Sequence, residues 1–85
     1  MTNKNSEIKF EIKEHLGTIS TSYEMKNGVK YRERNREINM VSWNGFSPKI
    51  DIRVWSPDHN YCGKGVTLTK AEAKELYEIL KKIVK

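Results

Sequence analysis

From Glu7 the chain alternates, with Ile8, Phe10 and Ile12 on one side and Lys9, Glu11 and Lys13 on the other. A period of two over such a stretch predicts a half-buried strand. Leu16 and Ile19 continue it past Gly17, where a bulge is expected. Lys26-Asn27-Gly28 predicts a hairpin, because a type I′ turn needs positive φ at both central positions. The second strand, Val29 to Asn44, opens polar, with Arg32, Arg34 and Arg36 on alternate residues projecting from one face. It then turns apolar at Ile38, Met40, Val41 and Trp43. Asn44-Gly45 supplies the next turn, extended by Ser47-Pro48. Lys49 to Ser56 alternates again, placing Ile50, Ile52 and Val54 on one face and Asp51, Arg53 and Trp55 on the other. Pro57 to Asn60 breaks that strand, and Tyr61 to Leu68 supplies a short fourth one.

At Thr69 the period changes. Thr69-Lys70-Ala71-Glu72 is a capping box, with Thr69 as the cap and Glu72 reaching back from the third helical position. The helix is expected to run to about Val84. Its apolar residues, Ala73, Leu76, Tyr77, Ile79, Leu80, Ile83 and Val84, span an arc of roughly 160°. Packing on one sheet face needs only a little over ~100°. The surplus predicts a helix that touches its own sheet and a second body, such as a partner's helix. The fold class is therefore α+β: a four-stranded antiparallel sheet followed by one C-terminal helix, expected as a homodimer. Residues 1–6 read as a flexible tail and 7–85 as one domain.

Composition narrows this picture. At 85 residues, one small domain is expected, and a monomer of that size buries only ~60% of its unfolded surface. Hydrophobic residues make up 36% and charged residues 32%, yet eight aromatics argue against a disordered chain. The longest apolar runs fall far short of a membrane span, and the first thirteen residues have no signal-peptide core. The single cysteine, Cys62, makes no internal disulfide, so a reducing, cytoplasmic setting is expected.

The net charge of +5 is unevenly spread. Residues 1–28 balance at four lysines and four glutamates, whereas residues 29–70 carry eight basic and four acidic groups. That middle segment also holds both tryptophans, Trp43 and Trp55. Basic residues interleaved with aromatics suit a polyanion whose bases stack, which describes single-stranded nucleic acid. A basic surface serves solubility equally well.

Catalytic constellations are absent from the pattern. Gly63-Lys64-Gly65 fails the phosphate-loop spacing, since position 58 is Asp58 and Gly65 stands where Ser or Thr is needed. It reads either as a plain turn or as a close backbone approach to a phosphate with Lys64 supplying charge. His59 and Cys62 are too few for a zinc site, and Cys62 has no marked base. An enzyme, a metal and a cofactor are not expected. Trp55 shares its phase with Arg53, so if the aliphatic face meets the helix, the two lie together on an uncovered face. The side taken by Trp43 stays open, and Phe46 in the turn is either a stacking tip or a lid.

In order and residue type, Lys49-Ile50-Asp51-Ile52-Arg53, a polar loop, Gly63-Lys64-Gly65-Val66-Thr67-Leu68 and a capped helix resemble the transcriptional coactivator family of positive cofactor four. Val41-Ser42-Trp43-Asn44 and the stretch Asp51 to His59 resemble its bacterial YdbC-type branch more closely. The resemblance spans residues 7–83 and is strongest over 37–69. It implies a homodimer that binds single-stranded DNA with little sequence preference through basic and aromatic side chains on the sheet face and loops. By that resemblance Arg53 and Lys64 match binding residues, and a stacking aromatic corresponds to Trp43 or Phe46. Trp55 stands where a relative has Tyr, and Ser56 where it has Trp. The expected nucleic-acid-binding set is Trp43, Phe46, Lys49, Arg53, Trp55 and Lys64. The expected setting is transcription or replication and repair, in the cytoplasm and associated with the nucleoid, without a small-molecule substrate. RNA binding is the alternative from the same chemistry, and a protein-interaction module is the alternative from another class.

Overall fold

The computed structural model describes residues 9–84. The tail expected over 1–6 and the strand start at Glu7 and Ile8 lie outside the described residues. The elements are β1 (Phe10–Lys26), β2 (Val29–Trp43), β3 (Lys49–Trp55), β4 (Cys62–Leu68) and α1 (Lys70–Ile83). The four strands form one antiparallel sheet in the order β1-β2-β3-β4, followed by the helix as the sequence pattern predicts. Both Asn-Gly turns take positive φ at each central residue: Asn27 (54°) with Gly28 (78°), and Asn44 (50°) with Gly45 (82°). The helix begins with the expected reciprocal cap. Thr69 Oγ1 accepts the Glu72 backbone N–H at 3.1 Å, and the Thr69 N–H donates to Glu72 Oε1 at 2.8 Å.

The first strand departs from the simple pattern. Where one bulge was expected at Gly17, the β1–β2 register slips after Ile12, after His15 and after Thr18. Each slip leaves one unpaired residue in β1: Lys13, Leu16 and Ile19. Bulges increase local twist and bend the strand. Leu16 and Ile19, expected to extend the apolar stripe, are consequently exposed. A fourth slip leaves Tyr31 unpaired in β2.

Directly opposed residues share a face, so the register sorts the sheet. One face carries the rows Ile38–Ile52–Val66 and Met40–Ile50–Leu68, with Val54 beside Arg36. No residue of these rows reaches full burial. The other face carries His15–Asn39–Asp51–Thr67, Glu37–Arg53–Gly65 and Asn35–Trp55–Cys62, with Ile12 beside Val41 and Phe10 beside Trp43. Here Trp55, Val41, Asn39 and Asp51 are completely buried. The side expected to be uncovered is thus the closed one. The reason lies in β1, whose coiled strand brings Phe10 against Trp55 (centroids 5.1 Å apart), while His59 packs edge-to-face with that ring at 5.2 Å.

Polar groups complete that interior. The buried Glu37 carboxylate accepts from Asn39 Nδ2 at 3.0 Å and lies 3.0 Å from His59 Nε2, while His15 Nδ1 lies 2.7 Å from Asn39 Oδ1. Pairing of this kind is what buried polar groups require. The helix, by contrast, touches only β3 and β4 among the described elements. Its apolar residues Ile79, Leu80, Ile83 and Val84 remain exposed. The Cα radius of gyration is 15.5 Å, against about 12 Å for a compact chain of this length.

Candidate nucleic-acid interface

The Asn44-Gly45 turn returns the chain so that Trp43, at the end of β2, stands near Arg53 in the middle of β3. Arg53 is held in place by a fork. Its Nε and Nη2 donate to the Asp51 carboxylate at 3.1 and 2.9 Å, and Nη1 donates to the Gly63 carbonyl at 3.1 Å. Asp51 also accepts the Thr67 hydroxyl at 2.9 Å, so this buried carboxylate is fully engaged. The guanidinium then lies over the Trp43 ring, 4.8 Å from its centroid. Trp43 is half-buried, runs nearly parallel to the Trp55 ring (12°, 6.4 Å) and tilts against Phe10 at 5.7 Å.

Gly65 is the residue that permits this arrangement. A Cβ there would collide with the Ile52 carbonyl oxygen and come within 2.7 Å of Arg53 Cβ. Gly63-Lys64-Gly65 is accordingly neither a turn nor a phosphate loop but the middle of β4, where Gly65 opposes Arg53. The glycine serves close packing between neighbouring strands.

A cavity of about 680 Å³ opens over this cluster, lined among others by Phe10, Trp43, Asn44, Arg53, Asn60 and Tyr61. Aromatic faces beside amide groups and a fixed guanidinium suit a planar, polar-edged ligand such as a nucleobase. The β2–β3 turn is pinned by Ser42 Oγ donating to the Phe46 carbonyl at 2.6 Å and Phe46 N–H donating to the Trp43 carbonyl at 2.9 Å. The Phe46 ring projects from that turn, 70% exposed. The loop before β4 is shaped by Asp58, which accepts the Asn60 N–H at 3.0 Å and the Ser56 hydroxyl at 2.8 Å. Those bonds, the backbone one first, hold the Asp58 carboxyl below its ordinary range.

Of the six residues expected at the site, Trp43 and Arg53 come together in the cavity wall. Lys49 is exposed on the same face, two residues before Asp51. Phe46 and Lys64 are exposed but stand outside the cavity lining. Trp55 is corrected from an open-face stacking residue to a fully buried one, with Phe10 and His59 packed on it and Trp43 parallel to it. The cavity lining adds Phe10, Asn60 and Tyr61 to the expected set. From sequence Phe10 is a strand residue sharing its side with Ile8 and Ile12, and only the β1–β2 register brings it to Trp43. An aromatic inside a turn-rich loop was the available signal for Tyr61.

Among the described residues no helix is long and apolar enough to cross a membrane. The family model described as Transcriptional Coactivator p15 (PC4) matches residues 30–79. A protein of Treponema pallidum (strain Nichols), itself uncharacterized, is 43% identical over 76 residues, covering 89% of this chain and 80% of its own length.

Proposed function

The chain belongs to the Transcriptional Coactivator p15 (PC4) family, and on that footing we propose that it binds single-stranded DNA without sequence specificity, as a homodimer. The observation that carries the reading is the Arg53 guanidinium locked 4.8 Å over the half-open Trp43 ring. Tyr61 lines the same cavity and Phe46 projects from the adjoining turn, both rings exposed, in a chain of net charge +5. Phe46, and Trp43 through the part of its ring left open, stack on bases, while Lys49 and Lys64 neutralise phosphates. Arg53 spends its edge on Asp51 and Gly63, so its part is to stiffen Trp43 and add positive field. Trp55, fully buried and nearly parallel to Trp43, supports that ring from the interior.

Residues 7–85 act as one binding domain with no catalytic step, in support of transcription or of replication and repair at the nucleoid in the cytoplasm. The exposed helix residues Ile79, Leu80, Ile83 and Val84, with the incompletely covered aliphatic rows, form the dimer contact. An unpartnered face of that kind is what a chain this short leaves for a second copy.

The test is fluorescence anisotropy of a labelled ~20-nucleotide oligo-dT, a matched RNA and the matched duplex, each at several salt concentrations. The expected result is saturable binding of oligo-dT over duplex, with a logarithmic salt slope of ~0.7 per phosphate contacted. Preference for the RNA would move the proposal to that substrate. Salt-insensitive behaviour with no oligonucleotide bound would contradict it.

A further inference from the structure

Beyond the sheet proper, the β1–β2 hairpin continues as a two-stranded arm. β3 pairs with β2 no further than Asn35, whereas β2 begins at Val29. The six residues between add ~20 Å of ribbon. Isolated two-stranded ribbons are marginally stable, so the composition of such an arm is informative. Residues 22–34 hold four basic and two acidic side chains, a net positive stretch in a chain of net charge +5.

The basic groups are matched to aromatic rings. Lys30 Nζ sits 4.3 Å above the Tyr23 ring, Arg32 lies 6.0 Å from the Tyr31 ring, and Arg34 lies 4.5 Å from the Tyr61 ring. All three tyrosines are about half exposed, at 45%, 56% and 51%. A groove of about 490 Å³ runs along the arm, lined among others by Tyr23, Lys30, Tyr31, Arg32 and Arg34. Tyr31 is the bulged residue of β2, and its hydroxyl donates to Glu24 at 2.9 Å. That hydrogen bond, and then the carboxylate's charge, raise the Tyr31 pKa above its ordinary value. The Arg32–Glu24 pair is long (3.4 Å) and half exposed, so it holds the guanidinium weakly and a phosphate can replace it. The pair Arg34–Tyr61 makes the surface continuous, because Tyr61 lines the cavity above Trp43 while Arg34 lines the arm's groove. The arm's β1 strand lies entirely before residues 30–79, the stretch the family model matches.

We propose that this arm is a second nucleic-acid subsite, carrying a single strand onward from the Trp43 cavity along Tyr61, Tyr31 and Tyr23, with Arg34, Arg32 and Lys30 on its phosphates. The inference rests on the function proposed above and adds a length dependence to it. A short oligonucleotide fills the cavity alone; a longer one also engages the arm.

The experiment compares the wild-type protein with Lys30→Gln/Arg32→Gln, using oligo-dT of about six and about twenty nucleotides across a salt series. Far-UV circular dichroism and the melting temperature should be unchanged, since both side chains are exposed. For the longer oligonucleotide the salt slope should fall by ~1.4, two phosphates' worth, while binding of the shorter one stays within about twofold. An unchanged slope on the longer strand would overturn the subsite and leave the arm's surface to an acidic protein partner. Equal weakening of both lengths would also overturn it, by showing a general loss of charge. Failure of the wild type to bind either length would instead remove the function proposed above, and the arm's role with it.

Discussion

The two faces of the sheet contrast in a way their residue types do not suggest. The face of Ile38, Met40, Ile50, Ile52 and Val54 looks like a core, yet no residue there is fully buried. The face of Asn39, Asp51, Arg53 and Trp55 looks like a surface, yet it contains every completely buried side chain among the described residues. The difference lies in what closes each face. The polar-aromatic face is closed within one chain, by the coiling of β1, the Phe10–Trp55–His59 packing and hydrogen bonds onto Glu37 and Asp51. The aliphatic face stays incompletely covered by this chain, and in the homodimer we propose a second copy closes it. Apolarity alone therefore does not identify a small protein's internal core.

The largest test of this contrast is Trp55→Ala. Removal of a buried aromatic should cost about 3–5 kcal/mol, much of the stability of so small a domain, read as a lower urea midpoint. A surface tryptophan would give almost no change. Leu80→Asp breaks the other side. In the homodimer we propose, it should convert a species of twice the chain mass to monomer in sedimentation and make the melting temperature independent of concentration. Gly65→Ala should cost about 1–3 kcal/mol, since its Cβ meets backbone as well as Arg53, and should disturb Trp43 through Arg53. Thr69→Ala removes the helix cap at a cost of ~1 kcal/mol.

The smallest effect concerns pH. A carboxyl with a lowered folded-state pKa contributes stability above its unfolded value, near ~3.9, and loses it as pH falls through the folded value. The melting-temperature gap between wild type and Asp58→Asn should therefore be present at pH 6 and shrink on acidification toward pH 3.

Most of the fold was legible because its signals are local. The Asn-Gly turns need positive φ, the capping box is a four-residue motif, and alternation marks β3 within seven residues. Membership of the coactivator family was legible too, from the stretch between Trp43 and Leu68. Burial was not legible. It depends on the three slips in β1, which no residue type announces and which decide that Phe10 covers Trp55. The same slips explain why Leu16 and Ile19, apolar and in β1, face solvent. Gly65 illustrates a residue legible only as an anomaly, whose reason appears once Arg53 is found opposite it.

The most direct test of the account uses its two tryptophans as separate reporters. Trp43→Phe and Trp55→Phe each leave one indole, and each variant is titrated with a ~20-nucleotide oligo-dT while tryptophan emission is followed. The account predicts strong quenching in Trp55→Phe, where the half-open Trp43 reports, and little in Trp43→Phe, where only the buried ring remains. Strong quenching through Trp55 with none through Trp43 would contradict it, because the strand would then lie where this fold has its interior.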